Sequence, residues 1–216
     1  MRYWTLNNKS LEVIGCGDAD KWNIPRNVLL IEPLPAREGF ALVAKADLSG
    51  TEYIEDHRGK TIYSTAKPSE SKQVKKLGEI EEGWTLKEYL PYSIWQNNDW
   101  IQQVELLQVA KRNEINQWRD TQEANPDEVV AVNGIEWDAN PSARSRIEST
   151  LNSGYLPPFW TDANDVDQPI SIDVLKAIHA AIVQRGFEIH TRQRQMKAEI
   201  KQIINFETLE AYKVGW

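Results

Sequence analysis

Leu175, Ile182, Ile189, Met196 and Ile203 recur every seven residues, with Ile178, Ile200 and Ile204 beside them. A strand cannot use that spacing, because its side chains repeat every two residues and those of a helix every 3.6. The stretch predicts one long helix, capped by Ser171 or Asp173, with Gly186 as a candidate kink. A seven-residue apolar seam calls for a second helix to cover it. Two coverings are open: the other helical pattern of the chain, or a second copy. That other pattern is Val104, Leu107, Lys111, Ile115 and Trp118, spaced near 3.6 after Asp99. It predicts a helix of about 20 residues with Asp99 as its N-cap.

Upstream the helical period is missing. Residues 26–31, 39–44, 51–54 and 60–65 read as short strands rich in β-branched and aromatic residues, and 73–77 as a further one. Pro33 and Pro35 stop the first, since proline cannot donate to a ladder. Asp56-His57-Arg58-Gly59 suits a type I turn, with Asp first to accept local N–H bonds and Gly last to take positive φ. Val13-Ile14-Gly15-Cys16-Gly17 lacks the third glycine and the following helix of a dinucleotide fingerprint, and reads as a turn. Pro91 and the Asn97-Asn98 pair mark a connector. Beyond the first helix, Asn133-Gly134 predicts a tight hairpin between 128–132 and 135–137. Asn140-Pro141 opens a short helix over 142–151 that closes near Gly154. The expected fold class is α+β, with a small β-rich N-terminal domain over 1–88, a connector at 89–98, and a mainly helical domain with a short β-hairpin over 99–216.

Charge narrows the function. The formal net charge is −7 over 216 residues. Residues 1–92 are nearly balanced, 93–172 carry 13 acidic against 5 basic side chains, and 173–216 are slightly basic. No block has the basic stripe that counterion release from nucleic acid would favour, so no nucleic acid partner is expected. No apolar run approaches the roughly 18–20 residues of a membrane span, so no membrane insertion is expected. The first residues do not resemble a secretion signal, and the protein is expected to stay where it is made. The single Cys16 excludes an intramolecular disulfide and a multi-cysteine zinc site. Nine tryptophans need not all be buried in a chain this small; core packing is the default for each, and tryptophan is also an interface anchor.

A catalytic constellation is missing. A calcium loop begun at Asp162 puts Asn164 third but Val166 fifth and Asp167 where glycine is required. Polar Asx turns are the plainer reading of Asp162, Asn164, Asp165 and Asp167. His179 and His190 lie on one predicted helix about 16 Å apart by rise, too far for one ion. Glu55 and Asp56, being adjacent in a strand, point to opposite faces and cannot flank one glycosidic bond. No catalytic residue, no metal and no cofactor is therefore assigned.

Two stretches resemble something known. Pro25-Arg26-Asn27-Val28, then Pro33-Leu34-Pro35, Gly39-Phe40-Ala41-Leu42-Val43 and Glu55-Asp56-His57-Arg58-Gly59-Lys60-Thr61-Ile62-Tyr63 resemble, in this order, the N-terminal half of tail fibre assembly proteins of tailed bacteriophages. Leu77-Gly78-Glu79-Ile80-Glu81-Glu82-Gly83-Trp84-Thr85 continues the likeness. The run from Glu55 to Tyr63 is its most specific part. Val132-Asn133-Gly134-Ile135-Glu136-Trp137-Asp138-Ala139-Asn140, with Ser142, Arg146-Ile147 and Trp160-Thr161-Asp162-Ala163-Asn164, is similar to a C-terminal domain common in phage tail proteins. The resemblance implies a non-enzymatic chaperone that binds the distal part of a trimeric tail fibre and assists its folding or trimerisation. It implies work in the host bacterial cytoplasm during assembly. The alternative it leaves open is a structural component retained at the fibre tip and involved in host receptor attachment. The residues chosen for partner binding are Asp56, His57, Arg58 and Gly59, with Trp160, Thr161, Asp162 and Asn164; the competing reading is that both groups only shape turns. The seven-residue seam adds homo-oligomer formation as a further expectation.

Overall fold

The computed structural model describes all 216 residues. The chain divides into two compact units, Met1–Ile101 and Gln102–Trp216. Strands dominate the first and helices the second, which bears out the α+β class.

The first unit is built from short strands in several small sheets. β1 (Arg2–Leu6) lies between β2 (Val13–Asp18) and β3 (Val28–Leu29). β4 (Phe40–Ala44) pairs antiparallel with β5 (Thr51–Glu55), and β6 (Thr61–Ser64) lies between β7 (Ser71–Gln73) and β8 (Trp84–Thr85). One isolated bridge, Glu12 to Val43, ties the first group to β4. The core is small: Leu6, Leu29 and Ala44 are buried, with Trp4, Leu11 and Val13 packed against them.

The segment read as a turn is a strand. β2 pairs antiparallel with β1 from Asp18 opposite Arg2 to Val13 opposite Leu6, with a bulge between Thr5 and Leu6. Its glycines hid it, because glycine weakens strand propensity. Gly17 earns its place through packing: a Cβ there would sit 2.5 Å from the Tyr3 hydroxyl and 2.7 Å from its Cζ. The aromatic ring covers the glycine across the pair, a known way to protect a bare strand position. Elsewhere the strands are shorter than the sequence implied. Of 26–31 only Val28–Leu29 pairs, and the strand expected at 73–77 falls at Ser71–Gln73.

The expected connector is also structured. β9 (Ser93–Gln96) and β10 (Asp99–Gln102) form a two-stranded sheet across Asn97 and Asn98, both at positive φ (53° and 59°). Asparagine tolerates that conformation, so the pair is a turn rather than a breaker. Trp100 is buried between Tyr89 and Trp95, with ring centroids 5.0 and 5.2 Å away, and its indole N–H donates to the Lys87 carbonyl. Asp99 therefore caps no helix; it accepts from the Trp100 amide and pairs with Lys87. The helix begins five residues later, with Gln103 as an N-cap whose side chain does not bond the first turn.

In the second unit α1 (Val104–Glu123) is followed by β11 (Val129–Val132) and β12 (Ile135–Asp138), joined through Asn133 and Gly134 at φ 55° and 79°. α2 (Pro141–Ser153) is capped by the Asn140 side chain, which accepts from the Ala143 amide at 2.9 Å, and ends at Gly154 in the left-handed region. β13 (Phe159–Thr161) pairs with β14 (Asp167–Pro169). α3 (Ile172–Gln202) runs through Gly186 without a break, and the short α4 (Phe206–Glu210) follows it. Ser171, not Asp173, caps α3.

The seven-residue seam is covered inside the chain. Leu175, Ile178 and Ile182 pack on Val130, Trp137 and Ile147, while Met196 and Ile200 pack on Leu107, Ile115 and Leu209. One pair of polar side chains meets in the α1–α3 contact, where buried Gln193 donates to Asn116 at 3.0 Å. Ile204 lies beyond the helix and is exposed, so it is no part of the seam. No helix is long and apolar enough to cross a membrane.

Candidate functional site

Arg58 organises the first candidate group. Its Nε and Nη2 donate to the two Asp56 carboxylate oxygens at 2.9 and 2.7 Å. Its Nη1 and Nη2 also donate to the Glu12 carboxylate at 2.9 and 2.6 Å. Both faces of the guanidinium fork are thus filled by carboxylates of the same unit, one of them 46 residues upstream. Only arginine offers enough rigid donors for two such clasps. The Arg58 side chain keeps 38% of its exposure, against 16% for Glu12 and 28% for Asp56.

The turn closes one residue later than the sequence implied, from His57 to Lys60, with Gly59 third rather than last. The Asp56 carboxylate also accepts the Arg58 amide at 3.1 Å, and Lys60 N–H donates to the His57 carbonyl. Gly59 takes φ +80°, a conformation that L side chains rarely adopt, and its amide donates to Val74. His57 Nε2 lies 2.8 Å from Glu55 Oε2, while its Nδ1 is buried without a hydrogen-bond partner. A neutral ring that donates from Nε2 leaves Nδ1 an acceptor only. Glu12 is the member of this cluster that no sequence pattern announced.

The Arg58 side chain, hydrogen-bonding Asp56, holds its carboxyl at about 2, below the ordinary 3.8. A depressed carboxylate stabilises the fold in full above its unfolded value and loses that contribution as pH falls through the folded one. The window is therefore pH 4 down to 2. The contribution is about 1 kcal/mol once solvent screening at this half-open site is counted. Urea unfolding at pH 5 and pH 2.5 should show a larger acid loss for the parent chain than for Asp56→Asn. Equal losses would remove Asp56 as the source.

The second group folds a different turn. Asp162 is buried, and its carboxylate accepts from the amides of Asn164 (2.8 Å) and Val166 (3.0 Å) and from the Gln168 side chain (2.9 Å). The bond from Gln168, then that from Val166, keeps its pKa below the usual carboxylate range. Thr161 donates to Asp167 at 2.9 Å, and the Ala163 amide reaches back to the Glu136 carbonyl. Trp160 packs half-buried on the core under β11 and β12. Trp160, Thr161 and Asp162 line an open cleft of about 450 Å³ with Asp138, Arg146 and Phe159. Asn164 shapes the turn through its amide and does not line that cleft. Each group organises a turn of its own unit.

The family model described as "Domain of unknown function (DUF4376)" matches residues 107–214, half of the chain. The chain belongs to the DUF4376 family. The DUF4376 region takes in most of α1, both hairpins, α2, α3 and α4, and so the Trp160–Asn164 turn. The expected likeness to tail fibre assembly proteins is borne out as well. The prophage tail fiber assembly protein homolog TfaE of Escherichia coli (strain K12) is 37% identical over 83 residues, 38% of this chain and 41% of that protein. A tail fiber assembly protein homolog of Escherichia coli is 37% identical over 81 residues, 36% of this chain and 38% of that protein. The tail fiber assembly protein of Escherichia phage lambda is 33% identical over 98 residues, 44% and 50% of the two chains. This DUF4376 chain thus spans half or less of the length of these curated relatives. No solved structure matches it.

Proposed function

We propose that this protein assists the assembly of a phage-type tail fibre, as a non-enzymatic chaperone that binds the distal part of the fibre and helps it fold or trimerise in the host bacterial cytoplasm. The observation that carries the reading is the set of tail fiber assembly proteins at 33–37% identity. The geometry is compatible with binding rather than with turnover: the carboxylates of both candidate groups are spent on internal hydrogen bonds, where a general acid or base would need a free one. Asp56, His57, Arg58 and Gly59 act on the fibre through the surface they hold in place. Trp160, Thr161, Asp162 and Asn164 shape a second contact at the open cleft.

Co-expression with a phage tail fibre from the same genome tests the reading. Soluble trimeric fibre should rise several-fold when this chain is present. An equal yield of trimer with and without it would overturn the proposal.

A further inference from the structure

Helix α3 carries two seven-residue patterns, and the fold covers only one of them. Leu175, Ile182, Ile189 and Met196 are buried. One residue after each come Lys176, Val183, His190 and Lys197, and four residues after these come Ala180, Phe187, Arg194 and Lys201. These positions alternate in steps of four and three, so they share one face of the helix about 100° wide. That face runs for about 37 Å, roughly seven turns. Every position on it is exposed except Lys197, which is half-buried; Phe187 keeps 63% of its surface and Val183 47%.

The charge on this face has one sign. The acidic residues of α3 are Asp173, Glu188 and Glu199, and none of them falls on it. The arginines off the face are spent: Arg185 pairs with Glu128 and Glu188, and Arg192 with Glu199. Glu148 of α2 is likewise held, by Arg144 and His179. Lys176, Arg194, Lys197 and Lys201 enter no ion pair. A single exposed apolar or cationic side chain needs no explanation, but here both kinds keep one register.

The register also narrows the occupant. Two copies of α3 meeting through this face would set cation against cation, which is costly. Side by side in one direction, Arg194, Lys197 and Lys201 meet themselves; in an antiparallel pair centred between Val183 and Phe187, Lys176 meets Arg194. A uniformly charged polyanion leaves Val183 and Phe187 unmatched, and the chain's net charge of −7 works against its approach. A helix that is apolar opposite 180–187 and acidic on either side satisfies the whole face.

We propose that this face of α3 docks an acidic amphipathic helix of another protein, with Val183 and Phe187 against its apolar positions and Lys176, Arg194 and Lys201 against its carboxylates. In such a pairing the apolar anchors supply affinity, and the flanking charges select the partner and its direction. The surface stands on α3 alone and does not depend on the tail fibre reading.

Two synthetic helical peptides test this on the full chain. Both carry leucine at the central positions of the matching face; one has glutamate at the flanking positions and the other lysine. The glutamate peptide should bind about ten-fold or more tighter than the lysine peptide, and should weaken as salt is raised. Phe187→Ser and the double variant Arg194→Glu, Lys201→Glu, each with parental circular dichroism, should each bind it about ten-fold or more weakly. Equal binding of the two peptides, parental affinity in both variants, or no binding of the glutamate peptide by the parent would each overturn the inference. A free chain of doubled mass that Phe187→Ser returns to monomer would assign the face to a second copy and overturn it too. So would phosphatidylserine vesicles that bind the parent but not the double variant and are not displaced by the glutamate peptide, since the face would then belong to a membrane surface.

Discussion

Trp137→Ala should lower the unfolding free energy of the Gln102–Trp216 unit by about 3–5 kcal/mol, the cost of emptying a large aromatic from a filled core. The Trp137 side chain is 2% exposed and packs with Val130, Ile147, Leu175, Ile178 and Ile182. It belongs to β12, whose partner strand, helix α2 and the first half of α3 all meet at that side chain. Its indole N–H reaches the Val132 carbonyl at 3.4 Å, a long bond that contributes little beside the packing. Alanine would leave a cavity that three elements cannot close together. Helical ellipticity against urea reads the loss directly, because all four helices lie in this unit or end it. A midpoint within experimental error of the parent would show that Trp137 is not the centre of this core.

Arg58→Ala carries the second large effect. It leaves Glu12 and Asp56, both mostly buried, facing one another with no cation between them. Losing one partner of a buried pair costs about 3–5 kcal/mol and losing an exposed one about 0–1, so this half-open double clasp should cost about 1–3 kcal/mol. Arg58→Lys keeps the charge but loses the fork, and should recover only part of the loss. Thermal unfolding of the two variants ranks them. A melting temperature for Arg58→Ala equal to that of the parent would mean the clasp is ornamental to the fold.

The helical half was largely legible because its signals are local. Asn133-Gly134 requires positive φ at both positions and found it, Asn140 is a side-chain cap within three residues of its target, and a seven-residue repeat survives any uncertainty about partners. What covers the repeat could not be read, since the choice between α1 and a second copy is a matter of contacts nearly a hundred residues apart. The strand half was less legible. β1 and β2 pair through a glycine whose place is justified only by the Tyr3 ring across the ladder. Asn97-Asn98 reads as a breaker because the edge-to-face contact of Trp95 and Trp100 that makes a turn useful there is invisible in one dimension. Arg58 brings a fork of donors, yet one of its acceptors, Glu12, lies in a stretch with no motif to mark it.

The α1–α3 contact sets an order of events on the ribosome. Leu107 and Ile115 emerge early, and Met196 and Ile200, which cover them, come some ninety residues later. Gln108 reaches the Ile200 and Ile203 carbonyls over the same interval. At bacterial elongation rates of about 5–20 residues per second, the apolar face of α1 waits on the order of 5–20 seconds for its cover. A protein read as a folding helper for another chain therefore passes through its own interval of exposed helix, and closes it only when α3 has been made.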